Sequence, residues 1–230
     1  MDENVKKAMA KWPDVPNCYG WLMLDARGAW HLRDEQAQKA NTHGDRIEHE
    51  GLLAFINRNY ARDDRGRWFF QNGPQRVFVN LEATPFVART DATKKFQLHT
   101  GEILEQIDAA WLTRSGQLLL QNGDRLAQVD DRDLVQVLPS LKVDGVPMAD
   151  AQLLKWVAGA GKEVLTLVYY DQSVVVGRIA ADDVTGQFRF VRMPQPDHAK
   201  AVSPSVANIV ADATANATNA ADTKARQLQS

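Results

Sequence analysis

The segment from 66 to 83, GRWFFQNGPQRVFVNLEA, decides the fold class of this chain. Two runs rich in aromatic and β-branched residues flank the dipeptide Asn72-Gly73. Both residues of this dipeptide tolerate positive φ at low cost, so it is a preferred two-residue turn between antiparallel strands. The segment therefore predicts a β-hairpin and indicates a protein built mainly from antiparallel strands.

Further hairpins and short helices extend this pattern in both directions. Residues 115–130 (SGQLLLQNGDRLAQVD) contain a second Asn-Gly turn, and residues 19–33 contain two apolar runs around a third turn. Apolar residues at helical spacing predict amphipathic helices over 48–58 and 150–158. The polar stretch 34–43 is expected to be a loop or an insertion.

The fold class that follows is α+β, with antiparallel β-hairpins and sheets packed against a few short helices. The segment 102–114 is compatible with either a helix or a strand. The remaining predicted elements are helices at 2–11 and 131–138 and strands at 85–90, 95–100, 164–170, 173–180 and 187–193.

Two pairs of similar segments within the sequence bear on the domain organisation. Residues 66–80 resemble residues 116–130 at an offset of 50, and residues 44–56 resemble residues 145–157 at an offset of 101. Two related halves of the chain would produce these similarities. Turn chemistry and helix spacing that unrelated segments share would also produce them. The predicted division is an N-terminal helix or arm at 1–18, a first α+β half at 19–105, a second α+β half at 106–193, and a disordered Ala/Asn/Thr-rich tail at 194–230.

Composition and charge argue against several functional classes. Lys plus Arg number 27 and Asp plus Glu number 29, and the resulting net charge of −2 gives no reason to expect nucleic acid or a membrane as a partner. Cys18 is the only cysteine, so neither an intramolecular disulfide nor a zinc-type cysteine spacing is available. The first residues lack the features of a signal peptide, and no apolar run reaches about 18 residues, so we expect a cytoplasmic location.

No recognisable motif for catalysis, cofactor binding or metal binding is present. HExxH, GxSxG, GxGxxG and Walker-type sequences are absent, so no catalytic residue, no cofactor and no metal is predicted. The metal alternative is a site assembled in three dimensions from His31, His49, His99 and an acid. The simpler interpretation is that these histidines are ordinary surface or hydrogen-bonding residues.

The first Asn-Gly hairpin is the best candidate for a recognition surface. Arg76 and Glu82 supply opposite charges, and Trp68 supplies an apolar wall. Arg76 and Glu82 are six residues apart, an even spacing that directs both side chains to one face of a strand. The competing interpretation is that the aromatic residues face the core and the arginine stems cover its edge.

A set of turn, helix and hairpin residues follows a recognisable order along residues 19–190. These residues are Gly28, Trp30, Gly44, Ile47, Leu52, Leu53, Phe55, Pro74, Glu82, Pro85 and Phe86. Their order resembles a bacterial family of domains of unknown function, proteobacterial hypothetical proteins with repeated α+β motifs. The resemblance implies an α+β fold and a role in signalling or ligand recognition, with no assigned reaction. The chain departs from the family in an insertion between Arg33 and Gly44, in Gln75 and Arg76, and in its tail.

These observations favour a non-enzymatic recognition or regulatory module whose partner is a small molecule or a protein. No oligomeric state is predicted. Two alternatives stay open: an enzyme of unidentified reaction whose site is assembled from His, Arg and acid side chains, and a structural or assembly protein. A concave pocket with two close titratable groups would favour an enzyme, whereas a flat apolar patch would favour an interaction module.

Overall fold

The structure is a computed structural model that describes residues 1–91, 93, 95–196 and 214. Contacts along the chain divide it into two compact units. The first comprises Met1–Asp25, Ala29–Glu82 and the described part of Phe190–Ser230, and the second comprises Ala26–Gly28 and Ala83–Arg189. The predicted disordered tail lies almost entirely outside the described residues, and the predicted division near residue 105 stays a prediction.

A six-stranded sheet organises the first unit in the described part of the chain. The strand order is β3-β2-β1-β6-β5-β4, and all neighbours are antiparallel except β1 and β6, which are parallel. The elements in chain order are α1 (Glu3–Lys11), β1 (Cys18–Leu24), β2 (Trp30–Leu32), α2 (Glu35–Ala40), β3 (Asp45–Arg46), α3 (Glu50–Arg58), β4 (Tyr60–Arg62), β5 (Trp68–Asn72) and β6 (Gln75–Leu81).

One face of this sheet forms the core of the first unit against α3. Phe55 of α3 is fully buried and packs edge-on against Phe70 of β5, with ring centroids 5.4 Å apart. Helix α3 begins after His49, whose Nδ1 accepts a hydrogen bond from the backbone N–H of Leu52. The apolar spacing recognised in the sequence therefore faces this core, and the other face of the sheet carries Met23, Phe78 and Asn80 among others.

A nine-stranded sheet organises the second unit within the described residues. Its strand order is β13-β12-β14-β15-β9-β10-β11-β7-β8, with parallel pairs β15/β9 and β11/β7. The elements are β7 (Phe86–Thr90), β8 (Phe96–Leu98), β9 (Ala109–Thr113), β10 (Leu118–Asn122), β11 (Arg125–Val129), α4 (Leu134–Val137), β12 (Leu141–Val143), β13 (Val146–Pro147), α5 (Asp150–Val157), β14 (Thr166–Tyr169), β15 (Gln172–Ile179) and α6 (Val184–Phe188), with 3-10 turns at Asp131–Asp133, Leu138–Ser140 and Ala181–Asp183.

The predicted α+β class is confirmed, but the expectation of purely antiparallel sheets is wrong because both sheets are mixed. The parallel pairs join strands that are distant in the chain; in the first unit, Leu22 of β1 lies opposite Val79 of β6. Alternating hydrophobicity identifies a strand, and a turn signal identifies its antiparallel neighbour along the chain. Neither signal identifies a partner that is tens of residues away.

Two local predictions also require correction. Residues 34–43, expected to form a loop or an insertion, contain helix α2. Residues 187–193, expected to form a strand, contain the end of α6 and then a single bridge between Val191 and Arg67. The segment 102–114, which was compatible with either element, contains strand β9. No helix of the described chain is long and apolar enough to span a bilayer.

The sequence similarity between residues 66–80 and 116–130, at an offset of 50, coincides with a strand arrangement that both units contain. The order and directions of β2-β1-β6-β5-β4 recur in the second unit as β8-β7-β11-β10-β9. In both Asn-Gly hairpins the preceding glutamine donates its Nε2 to the glycine carbonyl, from Gln71 to Gly73 at 3.0 Å and from Gln121 to Gly123 at 2.9 Å. Strand pairing and turn chemistry therefore repeat together at this offset.

Candidate functional site

A pocket of about 280 Å³ lies in the first unit. Because Leu22 is paired with Val79 and Met23 with Asn80, strand alternation puts Asn80 on the sheet face opposite the α3 core. We call this the Arg33 pocket; it is lined by Tyr19, Gly20, Trp21, Arg33, Gln38, Asn41, Asn80, Met193, Pro194, Gln195 and Pro196.

Arg33 is the most unusual residue of this pocket because its guanidinium is buried without an opposite charge. Its exposed fraction is 3%, and no carboxylate of the described residues pairs with it. Its Nε donates to the Thr42 carbonyl at 2.8 Å, and its Nη2 donates to the Ala37 carbonyl and to Asn41 Oδ1 at 3.4 and 3.3 Å. Burial lowers the pKa of Arg33 from its ordinary value. Its Nη1 has no hydrogen-bond partner among the described residues.

Helix α2 builds the wall around Arg33. Asp34 caps the helix, since its Oδ1 accepts a hydrogen bond from Ala37 N–H at 2.7 Å, and Asn41 ends it in the left-handed region at φ +51°. Gln38 donates its Nε2 to the Arg33 carbonyl at 3.1 Å. Gly20 lies below Gln38 at φ +82°, where a Cβ would come within 2.6 Å of Gln38 Oε1. The positive φ favours a glycine at this position, and any larger residue would also displace the Gln38 amide.

The remaining walls combine aromatic rings with amide groups. Tyr19 stacks on Phe78 with ring centroids 4.7 Å apart and 8° between the planes, and Trp21 is buried beside it in β1. Amide side chains such as Asn80 donate and accept hydrogen bonds, whereas an arginine only donates. An anionic group on a flat or apolar body suits this combination of side chains.

Two acid–histidine pairs include the acids that directly follow β1 and β6, Asp25 and Glu82. Asp25 Oδ2 is 2.9 Å from His31 Nε2, and Glu82 Oε1 is 3.3 Å from His43 Nε2. The two imidazole rings lie 5.5 Å apart between centroids. His31 is paired with Met23 across β1 and β2, so it lies on the same sheet face as Asn80. Its Nδ1 is enclosed and has no hydrogen-bond partner among the residues that the structure describes.

The histidines of the predicted metal alternative are used in different ways. His49 caps α3, and His99 Nδ1 accepts a hydrogen bond from Val87 N–H in the second unit. In the part of the chain that the structure describes, no group of three or more His, Cys, Asp or Glu side chains has an arrangement that could hold a metal ion. The histidine paired with Glu82 is His43, which the metal alternative had left out.

The three predicted recognition residues occupy different places in the first sheet. The register pairs Gln71 with Arg76 and Phe70 with Val77, so Trp68 projects to the core face and Arg76 to the opposite face. Arg76 lies over the ring of Phe69 at 4.7 Å. Six residues of strand place Glu82 about 20 Å from Arg76 along the sheet. The structure therefore brings Glu82 to His43 but does not bring Trp68 or Arg76 to Glu82.

The pocket was not predicted, because residues 34–43, which contain helix α2 of its wall, were expected to form a loop or an insertion. Local signals were nevertheless present: Asp34 is a preferred residue at a helix start, and Asn41 is a preferred residue just after a helix end. The burial of Arg33 had no such signal, because an arginine after a strand is normally exposed. The absence of a carboxylate partner depends on tertiary packing alone.

The fold and the pocket define an α+β protein with two mixed sheets and a buried, unneutralised arginine. Its sequence matches the family described as "Protein of unknown function (DUF2946)" over residues 1–195. The protein belongs to this family, and the predicted resemblance to a bacterial family of unknown function is confirmed. No curated protein matches the chain.

Two solved structures, both of DUF1285 family proteins, are similar to this chain. The protein from Silicibacter pomeroyi DSS-3 is 12% identical, and the match covers 73% of this chain and 85% of that chain with a TM-score of 0.44. The protein from Shewanella baltica OS155 is 13% identical, and the match covers 50% of this chain and 88% of that chain with a TM-score of 0.36.

Proposed function

We propose that the first unit is a non-enzymatic recognition module that binds a small anionic organic molecule in the Arg33 pocket. The observation that carries this proposal is Arg33, a residue that is 3% exposed and whose guanidinium has no carboxylate partner among the described residues. Burial of an uncompensated cation is unfavourable. An anion at Nη1 would remove this penalty, so the site favours negatively charged ligands.

The proposed ligand is small. Ligand pockets for drug-sized molecules occupy about 300–1,000 Å³, and the Arg33 pocket lies just below this range at about 280 Å³. A hydrogen bond to a charged group contributes about 1.5–3 kcal/mol, so one or two such bonds supply a large part of the affinity. Carboxylates and phosphate esters with a ring that fits beside Tyr19 and Trp21 are therefore the preferred ligand class.

The proposal also includes the predicted residues of the first Asn-Gly hairpin, which would form a second, outer recognition surface. Arg76 and Glu82 are proposed as polar contacts with a protein partner, and Trp68 is proposed to act by holding the hairpin rigid. A cytoplasmic location and a role in signalling also belong to this proposal, because a module that binds a small molecule on one part of a sheet can alter a protein surface on another.

The alternative function is an enzyme that acts on the same ligand class. One observation favours it: Asp25 holds His31 Nε2 at 2.9 Å, the arrangement in which a carboxylate orients an imidazole for proton transfer. His31 and Arg33 are two residues apart in the chain, about 7 Å at the strand rise. Under this alternative, Arg33 would bind the anion of the substrate, and His31 would exchange a proton with it through Nδ1, the ring nitrogen that does not contact Asp25, after a side-chain movement opens the enclosure around Nδ1.

The test is isothermal titration with a panel of small carboxylates, inorganic phosphate and phosphate monoesters, each paired with its neutral amide or alcohol analogue. We expect at least one anion to bind and its neutral analogue to bind at least tenfold more weakly. Arg33→Gln should abolish this binding. Asn80→Leu, which replaces an amide of the pocket wall by a larger apolar side chain and keeps Arg33, should weaken it at least tenfold. Arg58→Gln removes an arginine that pairs with Asp2 in the same unit and should bind normally.

Failure of every anion to bind the unmodified protein, or binding that survives both pocket variants, would contradict the proposal. His31→Gln separates the two functions. If the protein is a recognition module, this variant binds the anion and no ligand of the panel is converted during incubation with either protein. If it is an enzyme, NMR spectra of the incubated ligand show conversion by the unmodified protein and its loss in His31→Gln.

A further inference from the structure

The second unit contains an apolar groove of about 190 Å³ that shares no lining residue with the Arg33 pocket. It lies between α4, α5 and strands β9 and β10, and its main apolar walls are Leu112, Leu118, Val137, Leu141, Leu153 and Leu154. The floor is rigid, because Leu118 and Leu141 are 1% and 2% exposed. The groove is therefore a preformed apolar cleft in the core of one unit.

Helix α5 is held so that its leucine edge borders this groove. Trp156 is buried, donates its Nε1 to the Glu163 carbonyl at 2.9 Å, and lies under the Arg178 guanidinium at 3.8 Å. With Trp156 fixed, the neighbouring Leu153 is half-buried and Leu154 is 71% exposed. Leu154 therefore lies on the solvent-exposed side of the helix predicted over 150–158.

One cationic side chain stands at the opening of the groove. Arg114 follows β9 and lines the groove together with Ser115 and Gly116. It is exposed, and no carboxylate of the described residues pairs with it. The turn that carries it is ordered, since Gly116 N–H donates to the Thr113 carbonyl at 3.0 Å. The groove therefore combines an apolar interior with a single positive charge at its mouth.

We propose that this groove binds a small amphiphilic carboxylate, with its hydrocarbon chain among the leucines and its carboxylate on Arg114. The charge at the mouth is complementary to a carboxylate, and apart from Ser115 and Gly116 beside Arg114 the lining consists of leucine and valine side chains. An apolar cavity of about 150 Å³ holds benzene, so about 190 Å³ accommodates an unbranched chain of about six to eight carbons. The chain would also cover Leu154.

Octanoate is the probe that tests this proposal, by isothermal titration and by shifts of assigned methyl signals of the groove leucines. Octanoate should bind and shift these signals. Acetate, which has the charge without the chain, should leave them unchanged. Octan-1-ol, which has the chain without the charge, should bind about tenfold more weakly, because one charge-assisted hydrogen bond of about 1.4 kcal/mol corresponds to a factor of ten.

Two variants separate the chain from the charge. Arg114→Gln should weaken octanoate binding about tenfold and leave octan-1-ol binding unchanged, whereas Arg125→Gln, which removes an arginine paired with Glu102 in the same unit, should affect neither. Leu153→Trp should block both ligands by filling the groove. If Leu153→Trp does not fold, the Arg114→Gln comparison still decides the proposal.

Three results would overturn the proposal. The first is equal binding of octanoate and octan-1-ol to the unmodified protein. The second is octanoate binding that Arg114→Gln leaves unchanged. The third is a dimer in sedimentation velocity that Leu153→Trp dissociates and octanoate does not, since the groove would then hold a second copy of the chain.

Discussion

Raising the pH above 9 should destabilise the first unit through its one cysteine. Cys18 is 0% exposed at the start of β1, where it is paired with Val77 of β6. Burial raises the pKa of the Cys18 thiol from its ordinary value of 9.0 to about 12. The folded protein therefore keeps this thiol protonated at pH values at which the unfolded chain has already ionised it.

The magnitude follows from the difference between the two pKa values. Below pH 9 the thiol is protonated in both states, so its contribution to stability is fully present. Between pH 9 and about 12 only the unfolded state loses the proton, so the free energy of unfolding falls by about 1.4 kcal/mol for each pH unit. At pH 10 the expected loss from Cys18 is about 1.4 kcal/mol.

Urea unfolding of the protein and of Cys18→Ala at pH 8 and pH 10 measures this contribution. Tyrosine and lysine titrations are common to both proteins and cancel in the comparison. The unmodified protein should lose about 1.4 kcal/mol more than the variant between the two pH values. At pH 8 a thiol reagent should label one cysteine in urea and almost none in the folded protein. Equal losses in the two proteins, or rapid labelling of the folded one, would refute the reasoning.

Three further predictions concern the core, the pocket wall and an ion pair. Phe55→Ala should lower the free energy of unfolding by about 3–5 kcal/mol in chemical denaturation, and Leu53→Ala, at a half-buried position, by clearly less. Gly20→Ala should weaken anion binding in the Arg33 pocket, measured by titration, because its Cβ displaces Gln38 and strains a residue at φ +82°. Asp130 is fully buried; burial raises its pKa, but its hydrogen bonds with Arg132 outweigh this and lower it to about 2. Its stabilisation is present above pH 4 and is lost as the pH falls towards 2. Between these pH values the free energy of unfolding should therefore fall by about 2 kcal/mol more in the unmodified protein than in Asp130→Asn.

The hairpins were predictable because each depends on a few adjacent residues. The Asn72-Gly73 turn and the alternating runs beside it predict β5 and β6, and the structure has both strands. The face on which Trp68 lies was not predictable, because it depends on which residue of β5 pairs with which residue of β6. A register shifted by one residue would have put Trp68 on the same face of the sheet as Arg76.

The candidate site was largely beyond prediction because its residues come from separate segments. Arg33 follows β2, Asn80 belongs to β6, and 193–196 lie far along the chain. Sequence spacing shows none of these contacts, and it does not show that a buried guanidinium lacks a carboxylate partner. Glu82 was selected for its charge alone, and its partner His43 became visible only in the folded chain.

The α+β class, the hairpin turns, the amphipathic face of α3 and the family could be recognised from residue order, because they depend on local propensity and on motif order. The parallel pairs, the shared face of β1, β2 and β6, and the burial of Arg33 arise only when the chain folds. Strand pairing and charge burial are set by free energies summed over contacts between distant segments. Local patterns constrain each segment to one type of element and leave its partner open.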